Sequence, residues 1–466
     1  MKEQLYIRRS RLPVSAEAAF AWHARPGALQ RLIPPWSGIR LIVRSGGIEP
    51  GARTVLRMPL GPLRLRWEAE HQECEPGRRF RDVQARGPFR LWDHEHCFEP
   101  RAAASCLLED KIRYVIPLGA LGRLLAGRAI AADLDRTFVY RHRTTSEDLA
   151  LHARYLARPL TVAVSGASGL VGAALCALLT TGGHRVLRLV RSTHAEEDEI
   201  RWDPRAGVVD GEKLGGVDAV VHLAGEGIAS GRWSAARKAR ILESRETGTR
   251  VLCDVLARMT TPPKVLVSAS AIGIYGSRGY ERLTEASPQG GGFLAEVCRR
   301  WEEATAAASA AGIRVVHLRT GLVLSAAGGA LARMLPAFRL GVGGPIGTGR
   351  QYVSWISLDD LLGIILLALD LDAIIGPLNA VAPQPVTNRE LTIALARALG
   401  RPAATPLPRA IVRTVFGEMG VETLLASTRV LPSKAMAAGY VFRDSDVETA
   451  LRHTLGRFES VADDAS

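Results

Sequence analysis

The chain has 466 residues, 47% hydrophobic and 23% charged, with a formal net charge of +13. That is ample apolar material for more than one core, and it excludes a largely disordered protein, leaving only the tail VADDAS to read as unstructured. The basic balance is carried by Arg, with six Lys among 60 basic residues and no Lys/Arg-rich run of the kind a nucleic-acid-binding tail shows, so no nucleic acid partner is expected.

The chain opens with MKEQLYIRRSRL, which has no apolar run, so no signal peptide is expected. LYIRRSRLPV, IRLIVRSG, RTVLRMPL, LRLRWEAEHQE, FRLWDHEHCFEP and CLLEDKIRYVIPL carry alternating or β-rich patterns separated by glycine and proline turns. Helices are predicted at SAEAAFAWHA, at GALQRLI, and from about Gly119 to Leu149, where apolar residues recur along one side. This order of elements, with patches such as GPFRLWDHEHCFEP and LGALGRLLAGR, resembles the helix-grip fold of the START and polyketide-cyclase-like superfamily. The resemblance implies an α+β domain over residues 1–152 that holds an apolar small molecule between helix and sheet.

Within FRLWDHEHCFEP, His94 and His96 fall on one face of a strand with Glu95 opposite. Two His do not complete a zinc site and the sequence offers no third ligand, so this reads as a plain strand and no metal is expected. HARYLARPL is the linker. Beyond it the pattern becomes alternating β and α, the signature of a doubly wound parallel sheet.

That second part begins with the apolar strand Thr161 to Ser165, followed by Gly166-x-x-Gly169-x-x-Gly172 and, at once, a helix. Gly166 permits the tight turn, Gly169 lets backbone approach a pyrophosphate, and Gly172 lets the helix pack on the strand. The surrounding Ser168, Leu170 and Val171 present the helix N-terminus to negative phosphates. The second strand, HRVLRLVRS, ends in Arg191-Ser192, about 20 residues past the motif, where an NAD enzyme carries an acidic residue for the ribose diol. Arg191 instead suits the 2′-phosphate of NADP. The fourth strand ends in Leu223-Ala224-Gly225, small enough for a dinucleotide to pass close over the sheet. KVLVSASAIGIYG and IRVVHLRTGLVL supply the fifth and sixth strands.

GASGLVG, HLAG, SASAIGIYG and LRTGLVL together resemble the extended, or atypical, short-chain dehydrogenase/reductases of the nucleotide-sugar epimerase-like branch. HLAGEGI, SRETGT, FLAEVCRRWE and LGVGGPIGTGRQYVSWISLDDL narrow this to the "epimerase family protein" subgroup. Its small C-terminal domain of unknown function is matched by PLPRAIVRTVFGEMGVETLLASTRVLPSKAMAAGYVFR. The resemblance covers roughly residues 160–455. It implies a Rossmann-like NADP(H)-binding domain over 161–400 after a linker at 153–160, and a C-terminal domain over 401–455 completing the substrate side.

The superfamily's working set is Asn, Ser, Tyr and Lys. Here Arg245 stands in the place of the Asn. Ser270 is the candidate Ser, with Ser268 the alternative. Counting back from Glu302 puts Leu294 at the Tyr position and Cys298 at the Lys position. Without the pair, ordinary alcohol/ketone interconversion loses its proton donor. Tyr275, Cys298, Glu296 and Lys238 are the candidates to replace it. Lys238, Ile241 and Arg245 share one helix face that either lines the site or is simply solvated. Arg350 and Gln351 are plausible substrate contacts, and Asp359 or Asp360 is expected to cap the helix beginning near Leu361.

That helix, LLGIILLAL, is too short to cross a membrane, and the six cysteines are scattered without a C-x-x-C pair, which suits a reducing cytoplasm. The expectation is a cytoplasmic, NADP(H)-dependent, epimerase-like oxidoreductase of small molecules. Two rivals stand beside it: a non-catalytic NADP(H)-binding regulatory or scaffold module, and a carrier of apolar ligands through the N-terminal domain.

Overall fold

The computed structural model describes residues 2–61, 63–192, 196–229 and 231–458, and the tail VADDAS lies outside them. The chain separates into two compact units, one of residues 1–157, 177–183 and 456 onward, the other of 158–176 and 184–455.

The first unit runs β1 (Gln4–Leu12), α1 (Ala16–Ala24), α2 (Ala28–Leu32), β2 (Arg40–Ser45), β3 (Arg53–Leu60), β4 (Leu63–Glu75), β5 (Arg79–Arg86), β6 (Leu91–Ala102), β7 (Ser105–Val115) and α3 (Gly119–Arg154). The strands form one antiparallel sheet in the order β1-β7-β6-β5-β4-β3-β2. The Ser15 hydroxyl starts α1 by accepting the Ala18 N–H, one of the amides a helix start leaves unpaired. Ile112 and Tyr114 of β7 pack with Leu134 and Phe138 of α3, which lays the long helix on the sheet. A second cluster joins Phe20 and Trp22 of α1 to Phe80, Phe98 and Leu108.

The sequence pattern predicts six of these strands and misses β5. RFRDVQAR sends Phe80, Asp82 and Gln84 to one face, so its inner side carries a single apolar residue and no alternation. The omission matters. β5 sets Asp82 directly across from His94, and His94 and His96 both lie on the buried face of β6. The expectation that HEHC has no third ligand-bearing neighbour is therefore corrected: a cross-strand partner cannot be seen without the strand that carries it.

The second unit contains β8 (Thr161–Ser165), the first part of α4 (Leu170–Thr181), β9 (Arg185–Val190), β10 (Glu199–Asp203), β11 (Val208–Val209), β12 (Ala219–His222), α5 (Ala235–Arg258), β13 (Val265–Ala271), β14 (Arg282–Leu283), α6 (Phe293–Glu303) and β15 (Arg314–Thr320). Its main sheet has the order β11-β10-β9-β8-β12-β13-β15 and ends on the strand Gly376–Ala380. All neighbours are parallel except the β10–β11 pair. Val162, Val164, Val220, Val221, Leu266 and Val316 are fully buried, as befits parallel strands covered on both faces. The chain works outward from β8 to β11 and then resumes on the other side at β12, so the direction of winding switches between β8 and β12. The strand Gly376–Ala380 goes beyond the six predicted; GPLNA has no apolar run to announce it.

The cap expected at Asp359 or Asp360 lies elsewhere. The helix runs Leu358–Asp370, and Ser357 caps it by accepting the Asp360 N–H. Asp360 is fully buried in the first turn, where it accepts the amides of Arg443 and Asp444. Among the described residues, no helix is long and apolar enough to cross a membrane.

Candidate functional site

At the winding switch, the turn after β8 is shaped by its glycines. Gly166 has φ +69°, and a Cβ there would stand 3.0 Å from the Ala224 N and the Leu223 carbonyl carbon. A Cβ on Gly172 would lie 2.2 Å from the Gly166 oxygen, so a side chain would push α4 off the turn. Gly169 is under less internal constraint: its Cβ would meet only the Gly166 oxygen, at 3.2 Å. Two of the three glycines are thus demanded strongly by the fold and the third more weakly, and that third one leaves the exposed rim of the turn bare. Ser168, Gly169, Arg191, Ser192 and Gly225 are exposed, and Leu170, Val171, Leu223 and Ala224 are half-buried. These residues follow β8, β9 and β12, so the structure gathers them beyond the carboxyl ends of the strands, where open α/β sheets bind ligands. Arg191 has no carboxylate partner among the described residues.

Beneath this rim lies a buried polar contact that the sequence reading does not anticipate. The Ser165 hydroxyl is 2.7 Å from His222 Nδ1 and accepts the amides of Leu223 and Ala224 at 3.0 and 3.3 Å. His222 Nε2 is 3.1 Å from the Thr249 hydroxyl. Burial drives the His222 pKa down to about 4, so the ring is neutral and pins the end of β12 to the glycine turn.

The candidate proton-handling groups are placed as follows. Ser270 donates to Glu302 Oε1 at 2.8 Å. Arg319 donates to both oxygens of Glu302, each at 2.8 Å, and to the Tyr275 hydroxyl at 2.9 Å. Tyr275 in turn donates to Asn379 Oδ1 at 2.7 Å, and Asn379 donates to the Leu431 carbonyl at 3.0 Å. Tyr275 is fully buried, and burial, opposed by Arg319, raises its pKa. Ser268 is 1% exposed, and its hydroxyl has no partner among the described residues.

Leu294 and Cys298 lie along α6 below Gly273, whose Cβ would stand 3.2 Å from Leu294 Cβ and 3.8 Å from the Cys298 sulfur. Burial pushes the Cys298 thiol up to about 11, so it is not a thiolate at neutral pH. The Arg245 guanidinium stacks over the Trp301 ring at 4.8 Å and acts electrostatically on Cys298. Lys238 is held by Glu418 at 2.8 Å and over the Phe293 ring at 4.5 Å. The Lys238–Ile241–Arg245 face therefore packs on α6 rather than facing open solvent. Glu296 is ion-paired to Arg299 and Arg300, which lower its pKa to about 2. Gln351 donates to the carbonyls of Ile346 and Leu424, which occupies its amide in the fold, whereas Arg350 is exposed.

Comparison with known proteins matches residues 162–377 to the NAD dependent epimerase/dehydratase family. Residues 407–454 match a domain of unknown function, DUF1731, and residues 12–138 match polyketide cyclase / dehydrase and lipid transport. The epimerase family protein Mb2239 of Mycobacterium bovis is 44% identical over 296 residues, covering 64% of this chain and 98% of that protein. Human epimerase family protein SDR39U1 is 36% identical, covering 63% of this chain and 99% of its own. Among solved structures, a nucleoside-diphosphate sugar epimerase from Corynebacterium glutamicum superposes with a TM-score of 0.80 at 36% identity, covering 97% of this chain and 90% of that one. Human SDR39U1 (isoform2), solved with NADPH, gives a TM-score of 0.59 at 34% identity, over 64% of this chain and all of that one.

Proposed function

The chain belongs to the NAD dependent epimerase/dehydratase family, among the epimerase family proteins, and from that premise we propose that it is an NADP(H)-dependent, epimerase-like oxidoreductase that works without a Tyr-Lys pair. The observation that carries the reading is the bare rim at the winding switch. There Gly169 is exposed and meets one packing constraint, the Gly166 oxygen 3.2 Å from where its Cβ would stand, and Arg191 stands exposed at the end of β9. The residues fit the group. The turn amides and the N-terminus of α4 would hold the pyrophosphate, and Arg191 the 2′-phosphate. When bound, the nicotinamide supplies hydride transfer.

Arg245 is the residue proposed to compensate for the missing Lys. Its guanidinium comes from α5, yet it acts on Cys298, which occupies the Lys position on α6. It brings a permanent positive charge and hydrogen-bond donors to that place, enough to orient a ribose or a developing negative oxygen. It cannot give up a proton at neutral pH. Tyr275 and Ser270 are engaged by Arg319, Asn379 and Glu302, which favours roles in holding the strand ends over proton transfer. That same engagement supports a second reading, a module that binds NADP(H) and performs no turnover.

Calorimetric titration of NADPH and NADH against the wild type and Arg191→Ala tests the cofactor. NADPH preference that collapses roughly tenfold in the variant is expected. Stopped-flow oxidation of bound NADPH by a panel of carbonyl compounds then separates the readings. Turnover that falls in Arg245→Met supports the enzyme, whereas binding with no oxidation across the panel supports the module.

A further inference from the structure

In the first unit, β4, β5 and β6 put His71, Asp82 and His94 in one cross-strand row, with His96 two residues past His94 on the same face. Residues directly opposite on antiparallel strands share a face, so these four side chains do too, and ligand atoms of Asp82, His94 and His96 lie within 4.8 Å of one another. Asp82 Oδ1 is 3.5 Å from His94 Nδ1 and 3.9 Å from His96 Nε2. These separations are at or beyond the reach of a hydrogen bond. They are close to the edge of a coordination shell, since donors bound to one ion at 2.0–2.1 Å in a tetrahedron stand about 3.3 Å apart. The side chains of His94 and His96 are only 5% and 9% exposed, and that of Asp82 15%.

A second, independent feature concerns the far nitrogen of each ring. His94 Nε2 is 3.1 Å from Asp110 Oδ1, and His96 Nδ1 contacts the same oxygen. Asp110 Oδ2 is occupied by His142 Nε2 of α3 at 2.6 Å. One buried carboxylate thus bonds the outer nitrogen of His94 and touches that of His96, and leaves their inner nitrogens facing Asp82. That is the arrangement by which a carboxylate fixes the tautomer and direction of a metal-binding His. Phe80 stacks on His96 at 4.1 Å and Phe138 meets His94 edge-on at 5.4 Å, which further limits ring rotation. His71 adds a buried Nδ1 with no hydrogen-bond partner among the described residues.

We propose that Asp82, His94 and His96 bind one divalent first-row transition-metal ion, with Asp110 orienting the rings and His71 opposite Asp82 on the neighbouring strand. Two imidazoles and a carboxylate are the donor set for Zn²⁺ or Fe²⁺ rather than for Ca²⁺ or Mg²⁺, which prefer all-oxygen shells.

The test uses the full chain, stripped with a chelator and titrated with Zn²⁺ by calorimetry and with Co²⁺ by visible absorption. One Zn²⁺ per chain at micromolar or tighter affinity is expected, weakened at least about tenfold in Asp82→Asn and in His96→Gln. The Co²⁺ complex should show ligand-field bands and no thiolate charge-transfer band, a readout on the wild type that stands even if a variant does not fold. Binding no tighter than millimolar, a thiolate band, or folded variants that keep wild-type affinity would overturn the assignment.

Discussion

Both sheets bury polar side chains, but they treat them differently. In the second unit, Ser270, Glu302, Arg319, Tyr275 and Asn379 form a chain in which every donor meets an acceptor, ending on a backbone carbonyl. In the first unit, Asp110 bonds one nitrogen of His94 and only touches one of His96, while the other nitrogens face Asp82 across distances too long for good hydrogen bonds. A closed chain specifies a shape. A cluster whose ring nitrogens face one carboxylate specifies a shape and a set of ligand atoms. The contrast teaches that the polar residues nearest the expected reaction are those most committed to structure, whereas the cluster in the other unit retains binding capacity.

The sharpest way to break this comparison is to cut the closed chain at its ion pair. The Arg319 and Glu302 side chains are 6% and 10% exposed, and Arg319 donates two hydrogen bonds to Glu302. Removing Arg319 leaves the buried Glu302 carboxylate without its ion-pair partner, so Arg319→Met is expected to cost about 3–5 kcal/mol of unfolding free energy. Urea unfolding of the second unit's transition would read it. A cost under about 1 kcal/mol would mean the chain is not the closed structure described.

A smaller effect is expected from His222, whose ring lies between the Ser165 and Thr249 hydroxyls with Trp202 edge-on and, among the described residues, no carboxylate partner. Its folded pKa of about 4 lies below the ordinary 6.5. The unfolded chain therefore takes up a proton that the folded one refuses. Stability is unaffected above pH 6.5 and falls as pH drops from 6.5 toward 4, by at most roughly 3 kcal/mol. Unfolding curves across that range should carry this slope in the wild type and lose it in His222→Gln.

Much of the second unit was legible in the sequence because its signals are local. The strand, the spaced glycines and the helix start fall within a dozen residues, and the parallel strands are continuous apolar runs. The strand at Gly376–Ala380 was not legible, since GPLNA owes its place to pairing with β15. The closed chain was hidden for a different reason: Tyr275 and Asn379 are 104 residues apart, and Arg319 and Glu302 are joined only when β15 packs on α6. The Asp82–His94–His96 cluster was half legible. The His-x-His spacing was read, but its carboxylate sits on a strand whose inner face is polar because of that cluster. Periodicity finds strands by their apolar side, and so it misses the strand whose inward residues are there to bind.

The smallest expected effect bears on the candidate acid itself. Tyr275→Phe deletes the hydroxyl that passes a hydrogen bond from Arg319 to Asn379 while keeping the ring in its cluster of Ile274, Leu283, Val381 and Val430. Loss of one buried bridging hydroxyl should cost about 1–2 kcal/mol, less than cutting the ion pair, because Arg319 keeps both bonds to Glu302. NADPH affinity should stay within about twofold, and any NADPH oxidation found in the wild type should persist at a similar rate. A fall of a hundredfold or more in turnover with affinity intact would restore Tyr275 as the proton donor. It would also show that a residue can be closed into the fold at rest and still be reached by the reaction, which would erase the distinction drawn between the two sheets.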